Sequence, residues 1–278
     1  MTTTLRPDGP EERTADGTRT RTFTICDNAR PVGTLRLSAD SGPGGTAGRI
    51  EELSVEEPDR RRGRATVAAL AAEEVLRDWG CRHLGVSVPA DAGGATRLAG
   101  LLGYAADGRM MSKEVPGHTP PPPPGSTLED MSPARYPGWL EAEKAGFVRT
   151  CTGRGLSSAR AGAIADETHR RHLPDGPDSE GSAVRVLMHE GNDVGTLWVS
   201  TGEGLPLPTE GFVFSVEVAA AHRGRGHGRT LMYEAERVCR AAGARTLGLH
   251  VVEGNAAARA LYRSLGYRTV TRSFHKLL

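Results

Sequence analysis

Apolar residues recur at every second position in two separated parts of the chain. In the first part Leu53 and Val55, then Leu84, Val86 and Val88, alternate with other residues, the mark of strands with one buried face. In the second part Val184 to Met188 and Gly195 to Ser200 read as a hairpin. Phe212 to Val218 and Leu247 to Val252 follow as strands, and Thr127-Leu128 precedes them as a short one. The β-branched and aromatic content of Tyr267 to Lys276 predicts a last strand. Between these runs the period becomes helical. Helices are expected from about Pro133 and over Ser157 to Arg171, the second ended by Pro174. Two more are expected over Arg229 to Ala242, stopped by Gly243, and over Asn255 to Ser264, stopped by Gly266. The pattern predicts a mixed α/β fold.

The two parts are copies of one another. Arg60-Arg61-Arg62-Gly63-Arg64-Ala65 matches Arg223-Gly224-Arg225-Gly226-His227-Gly228, and Leu102-Gly103-Tyr104 matches Leu265-Gly266-Tyr267, at one offset (223 − 60 = 265 − 102 = 163). Upstream, Val32-Gly33-Thr34-Leu35 pairs with Val194-Gly195-Thr196-Leu197 at an offset of 162, each after an Asn-containing turn. A chain of 278 residues suits two modest domains. The run Pro120 to Pro124 can form neither helix nor central strand, so a semi-rigid spacer over 117–124 is expected between a copy at 20–116 and another at 125–278. Residues 1–19, rich in Thr, Gly, Pro and charge, are expected to be a disordered tail.

Charge narrows the partners. With 35 Lys+Arg against 34 Asp+Glu, no net field draws the chain to nucleic acid or an anionic membrane. No apolar stretch has signal-peptide or spanning character, so a cytoplasmic protein is expected. Cys26, Cys81, Cys151 and Cys239 lie far apart without CxxC spacing, which suggests neither a zinc site nor a disulfide framework.

Phe212 to Val218 runs through a glycine-rich turn into a helix, placing successive backbone N–H groups at a helix start. Such a turn is an anion site, and Arg223, Arg225 and Arg229 can add charge. Its spacing fails both the dinucleotide G-x-G-x-x-G pattern and the triphosphate G-x-x-x-x-G-K-[ST] pattern.

Arg223-x-x-Gly226-x-Gly228 resembles the coenzyme A pyrophosphate loop, [QR]-x-x-G-x-[GA], of Gcn5-related acetyltransferases, and Arg60-x-x-Gly63-x-Ala65 fits it too. The second signature of that family, an Asn followed by a helix bearing a Tyr and closing in Leu-Gly-Tyr, stands as Asn255 to Tyr267. The resemblance covers 125–278 well and about 20–116 partially. It implies two tandem acyl-coenzyme A N-acyltransferase domains, the first truncated and degenerate, with acetyl-coenzyme A as co-substrate and no metal. It implies a cofactor site made by Val216, Val218, Arg223, Gly224, Arg225, Gly226, His227, Gly228, Arg229, Asn255 and Ala258.

Asn255 and Tyr262 are seven apart on one helix and share a face. A tyrosine stays protonated at neutral pH and can supply a proton to a departing thiolate; in the family the residue matching Tyr262 does this. For a general base there are two candidates, Glu217 on the strand entering the turn and His250 on the next. The resemblance implies that the Val218 N–H polarises the thioester carbonyl. The acceptor is expected to be an amine of a small molecule, an amino acid derivative or a peptide. A non-catalytic acyl-coenzyme A sensor is the alternative. At the repeat offset Tyr262, Asn255, His250 and Glu217 correspond to Ala99, Ala92, Ser87 and Ser54, so the first copy is expected to do no chemistry and to pack on the second as a pseudo-dimer, with a homodimer as the open alternative.

Overall fold

The computed structural model describes residues 3–14, 17–42 and 45–278. Its elements run β1 (Thr3–Pro7), β2 (Glu12–Arg13), β3 (Arg19–Asp27), β4 (Arg30–Gly42), β5 (Gly45–Val55), α1 (Arg64–Asp78), β6 (Cys81–Pro89), α2 (Gly93–Leu101) and β7 (Ala105–Glu114). They continue with β8 (Ser126–Asp130), α3 (Tyr136–Thr152), α4 (Ser158–His172), β9 (Ser182–His189), β10 (Asn192–Ser200), β11 (Gly211–Val218), α5 (His227–Ala241), β12 (Thr246–Val252), α6 (Ala256–Ser264) and β13 (Arg268–Leu277). The mixed α/β class is as expected from the sequence.

The chain divides into two compact units, but not at the proline run. The first comprises residues 1–107, 151–161 and 271–278; the second comprises 108–150 and 162–270. In the first unit the strand order is β1-β3-β4-β5-β6-β13, with β2 on β3. In the second it is β7-β12-β11-β10-β9-β8. Each sheet is therefore closed by a strand that the sequence encodes in the other half. β13 pairs antiparallel with β6 over Thr271 to Leu277, and Gly108 to Glu114 of β7 pair antiparallel with β12. This exchange corrects the boundaries expected at 20–116, 117–124 and 125–278. The proline segment lies wholly inside the second unit, where Arg237 donates to the Pro120 carbonyl at 2.9 Å.

A second correction concerns residues 1–19. Thr3 to Pro7 form a strand in register with Phe23 to Asp27, and Leu5 packs on the first core. Glu12 and Arg13 pair with Thr20 and Arg19, and Glu11 holds Arg19, whose guanidinium lies 4.3 Å over the Trp79 ring. Met1, Thr2, Ala15 and Asp16 lie outside the described residues. A single apolar residue among β-branched threonines is enough for a strand when a neighbouring edge supplies the hydrogen bonds.

The repeat holds at the level of geometry. α1 and α5 begin 163 positions apart (227 − 64 = 163), as do α2 and α6 (256 − 93 = 163). Gly33 and Gly195 both lie against the neighbouring antiparallel strand. A Cβ would come within 2.1 Å of the Ser54 carbonyl oxygen at one and 2.4 Å of the Glu217 oxygen at the other, which explains the shared Val-Gly-Thr-Leu. Each core covers one sheet face with its own helices: Leu76, Leu84 and Tyr104 in the first, Leu231, Leu249 and Tyr267 in the second. A buried glutamate recurs in both. Lys276 on β13 donates to Glu73 at 2.7 and 2.9 Å, and Lys113 on β7 donates to Glu236 at 2.7 Å. No helix of the described residues is long and apolar enough to cross a membrane.

Candidate active site

The opening in the second unit is made by a β-bulge. Trp198 and Val199 of β10 face Ser215 and Val213 of β11, leaving Phe214 as the extra residue. A bulge bends its strand and adds twist. Parallel pairing of β11 with β12 runs only from Gly211↔Leu247 to Val213↔Leu249, so the remainder of β11 has no ladder partner on that side. Alternation of the ladder then fixes which amides face the gap. Ala219 donates to the Val194 carbonyl at 3.0 Å, so Gly195 and Val218, and two residues on Leu197 and Val216, are non-hydrogen-bonded pairs. The N–H groups of Val216 and Val218 consequently point away from β10, into the opening.

The strand runs into a short 3-10 turn, Ala220–His222, and then into the glycine turn. Gly224 and Gly226 have φ of +76° and +89°, the left-handed values that let successive amides converge. Among the described residues nothing accepts from the N–H groups of Arg225 to Gly228. Gly228 is held close to α6, where an added Cβ would lie 3.2 Å from Leu261. Arg225 is exposed. Arg223 and Arg229, expected to face an anion, also brace the turn: Arg223 donates to the Val218 carbonyl at 3.0 Å, and Arg229 donates to the Ser264 hydroxyl at 2.8 Å.

Beneath the turn sits a histidine trio that the sequence reading named only in part. His227, the first residue of α5, is buried, and its ring lies 4.9 Å from that of His189 and 6.3 Å from that of His222. His189 is held by the Ser126 hydroxyl at 2.8 Å, and the Nε2 of His227 is buried without a partner among the described residues. Burial, then the neighbouring imidazoles, hold the His227 pKa below its ordinary value. In the first unit these three positions are Asp27, Asp59 and Arg64. There Arg64 is buried and ion-paired with Asp27, and it donates to the Asp59 carbonyl at 3.2 Å, while Arg30 donates to the Asp59 carboxylate at 2.7 Å. The Arg30 hydrogen bond holds the Asp59 carboxyl below the usual carboxylate range.

Asn255 and Ala258, both expected at a cofactor, bond to one another: the Asn255 side chain accepts the Ala258 N–H at 3.0 Å and caps α6. Tyr262 is buried against the core, 5.8 Å from the Tyr267 ring, and burial pushes its pKa up to about 12. The two base candidates share the other sheet face. Leu247, Leu249 and Val251 face the core with Tyr262, which turns His250 to the opposite side of β12. On β11, Val213, Val216 and Val218 face that core, so Phe214 and Glu217 lie opposite, Glu217 exposed. This second face is covered by an aromatic layer in which Trp198 stacks on Phe214 at 4.5 Å and meets Trp139 of α3 at 6.1 Å. Glu253, Arg259 and Arg109 carry no local signature in the sequence. Arg109 donates two hydrogen bonds to Glu253, at 2.9 and 3.0 Å, across 144 residues.

The acetyltransferase (GNAT) family pattern matches residues 2–104 and 156–267. A mycothiol acetyltransferase of Beutenbergia cavernae is 29% identical over 226 residues, covering 79% of this chain and 73% of that protein. An uncharacterized N-acetyltransferase, YdgE, of Bacillus subtilis is 25% identical over 154 residues, 55% of this chain and 98% of its own length. Among solved structures, a GCN5-related N-acetyltransferase from Sphaerobacter thermophilus has a TM-score of 0.58 at 21% identity, covering 91% of this chain and 79% of that one. A tandem GNAT protein from the clavulanic acid biosynthesis pathway has a TM-score of 0.51 at 21% identity, covering 94% and 83%. At these identities the solved structures speak for the fold.

Proposed function

The chain belongs to the acetyltransferase (GNAT) family, and from that premise we propose that its second unit is an acetyl-coenzyme A-dependent N-acetyltransferase acting on a primary amine of a small molecule, an amino acid derivative or a peptide. The observation that carries the reading is the pair of Val216 and Val218 amides aimed into the gap that the Phe214 bulge opens, continuous with the unpartnered amides of the Gly224 to Gly228 turn. The donor set fits a thioester joined to a diphosphate. The turn N–H groups at the start of α5 receive the diphosphate oxygens, with Arg225 at its rim, and the β11 amides receive the amide-rich arm leading to the acyl group.

Acetyl-coenzyme A supplies an activated acyl group when bound. His250 or Glu217, on the acceptor face, removes a proton from the attacking amine. The amine nitrogen bonds to the carbonyl carbon as the carbon–sulfur bond breaks, without an acyl-enzyme. The Val218 N–H stabilises negative charge developing on the carbonyl oxygen. Tyr262 gives its proton to the departing sulfur and regains one from solvent. Burial supports this last role, since a hydroxyl held up to about 12 is still protonated at neutral pH.

The test is thiol release from acetyl-coenzyme A over a panel of amines. Amine-dependent release that falls in Tyr262→Phe supports the reading. Tight binding of acetyl-coenzyme A with no release on any amine supports the alternative, a non-catalytic acyl-coenzyme A sensor.

A further inference from the structure

The two units keep some interactions of the repeat and lose others, and the division separates structure from chemistry. The buried Lys–Glu pair is kept: Lys276–Glu73 beside Tyr104 in one unit, Lys113–Glu236 beside Tyr267 in the other. A second ion cluster occurs in only one. In the second unit Arg109 of β7 donates its Nε and Nη2 to the two oxygens of Glu253, and Arg259 of α6 donates to the same carboxylate. Glu253 sits in the turn from β12 to α6, two residues before the Asn255 cap. The carboxyl is held below its usual range, first by the hydrogen bond from Arg109.

In the first unit the counterpart of Arg109 is present as Arg272 (272 − 109 = 163), on the exchanged β13, in register with Val88. Its partners are gone. Ala90 and Thr96 stand where the second unit has Glu253 and Arg259, and the Nε of Arg272 is buried without a partner among the described residues. Ala92 and Ala99 replace Asn255 and Tyr262 on the same turn and helix. Clamp, cap and tyrosine are thus retained together or lost together, whereas the Lys–Glu pair is indifferent to them.

We propose that Arg109 is a positioning residue for the reaction: supplied by the first half of the chain, it fixes the start of α6 through Glu253 and Arg259, and so sets the Asn255 cap and the placement of Tyr262. The role rests on reading Tyr262 as the proton donor. A bidentate guanidinium fork specifies direction as well as distance, which a lysine at the same place does not.

The experiment uses the full chain and the variants Arg109→Met, Arg109→Lys and Glu253→Gln, with amide hydrogen exchange, acetyl-coenzyme A affinity and amine-dependent turnover read on each. Expected for Arg109→Met is faster exchange over residues 256–264, with α2 of the first unit, which lacks the clamp, unchanged. Expected with it is a fall in kcat of roughly ten- to a hundredfold, acetyl-coenzyme A affinity within about threefold, and partial recovery in Arg109→Lys. If Arg109→Met does not fold, Glu253→Gln keeps the shape, weakens the clamp and is expected to show the same pattern. Unchanged exchange in α6 overturns the proposal, as does full turnover in Arg109→Met. If the parent chain acetylates no amine, the acetyltransferase reading fails, and the exchange of α6 still decides whether Arg109 holds it.

Discussion

Lys113, on a strand encoded in the first half of the chain, donates to Glu236 on α5 of the second unit at 2.7 Å, and the same ammonium donates to the Leu265 carbonyl at 2.7 Å. The Glu236 side chain is 1% exposed and that of Lys113 13%. Removing one member leaves a buried charge without its partner. Lys113→Met is therefore expected to destabilise the protein by about 3–5 kcal/mol, read as a lowered denaturation midpoint at neutral pH. A double variant, Lys113→Met with Glu236→Leu, is expected to recover most of the loss. Equal midpoints for the parent and Lys113→Met would show that the pair is not coupled to stability.

The glycine turn makes the second prediction. Gly226 has φ of +89° at the N-cap of α5, where a side chain strains the backbone by about 1–2 kcal/mol. Gly226→Asp adds a carboxylate beside the amides proposed to receive the diphosphate. Calorimetry is expected to show acetyl-coenzyme A affinity weakened by more than roughly tenfold, while Arg225→Ala, at the exposed rim, weakens it less. The reverse order would assign the binding energy to the side chain instead of the backbone.

Tyr262 carries the third. Tyr262→Phe keeps the ring in the core and removes the proposed proton donor, so kcat is expected to fall about a hundredfold or more with little change in acetyl-coenzyme A affinity. Because burial raises the hydroxyl to about 12, it stays protonated through the ordinary working range, and a descending limb in the kcat profile below pH ~10 is not expected from it. Such a limb, abolished by Tyr262→Phe, would contradict the environment described.

The strands and helices of the second copy, and the turn joining β11 to α5, were legible in the sequence because their signals are local: period, glycine punctuation and an Asn cap. Strand exchange was not, because nothing local tells β7 or β13 which β6-like neighbour to join. The shared offset of Lys113 and Lys276 (276 − 113 = 163) is a trace that reads only once Glu236 and Glu73 are known to receive them. β1 was hidden by its composition, since Leu5 is the single apolar side chain it contributes to the core. Arg109 could not be found either, its partner lying 144 residues away.

His227 sets a pH dependence. The His227 pKa is lowered by burial and by His189, His222 and Arg225. A depressed histidine contributes stability that is present above its ordinary value of about 6.5 and is lost as pH falls through its lowered folded value. The protein without cofactor is therefore expected to lose stability below about pH 6.5, and His227→Gln to lose less. A bound diphosphate favours the protonated ring, so acetyl-coenzyme A is expected to bind with proton uptake, and affinity to rise as pH falls through the same range until the fold weakens. Calorimetry in buffers of different ionisation enthalpy measures the uptake. Equal proton counts in the parent and His227→Gln would remove His227 from the linkage.

The first unit is proposed to lack this chemistry. Its turn keeps the geometry: Gly63 caps α1 with φ of +77°, and Arg60 donates to the Val55 carbonyl at 2.7 Å as Arg223 does to Val218. The side chains beneath differ in sign. Where the second unit has three imidazoles, the first has the Asp27 and Asp59 carboxylates facing Arg64 and Arg30, charges already matched within the protein. An arriving diphosphate there meets charges already paired with one another, and the positions matching Tyr262, Asn255, His250 and Glu217 are Ala99, Ala92, Ser87 and Ser54. We expect one catalytic site per chain, with all turnover removed through the second unit. Arg223→Ala is expected to lower turnover at least about tenfold more than Arg60→Ala, and Tyr262→Phe to leave no residual amine-dependent release with separate saturation behaviour. Asp59→Asn with Asp27→Asn is expected to lower stability, by leaving Arg64 and Arg30 without counter-charges, without altering kcat per folded molecule. Turnover that falls equally in Arg60→Ala and Arg223→Ala would give the first turn a share in the reaction.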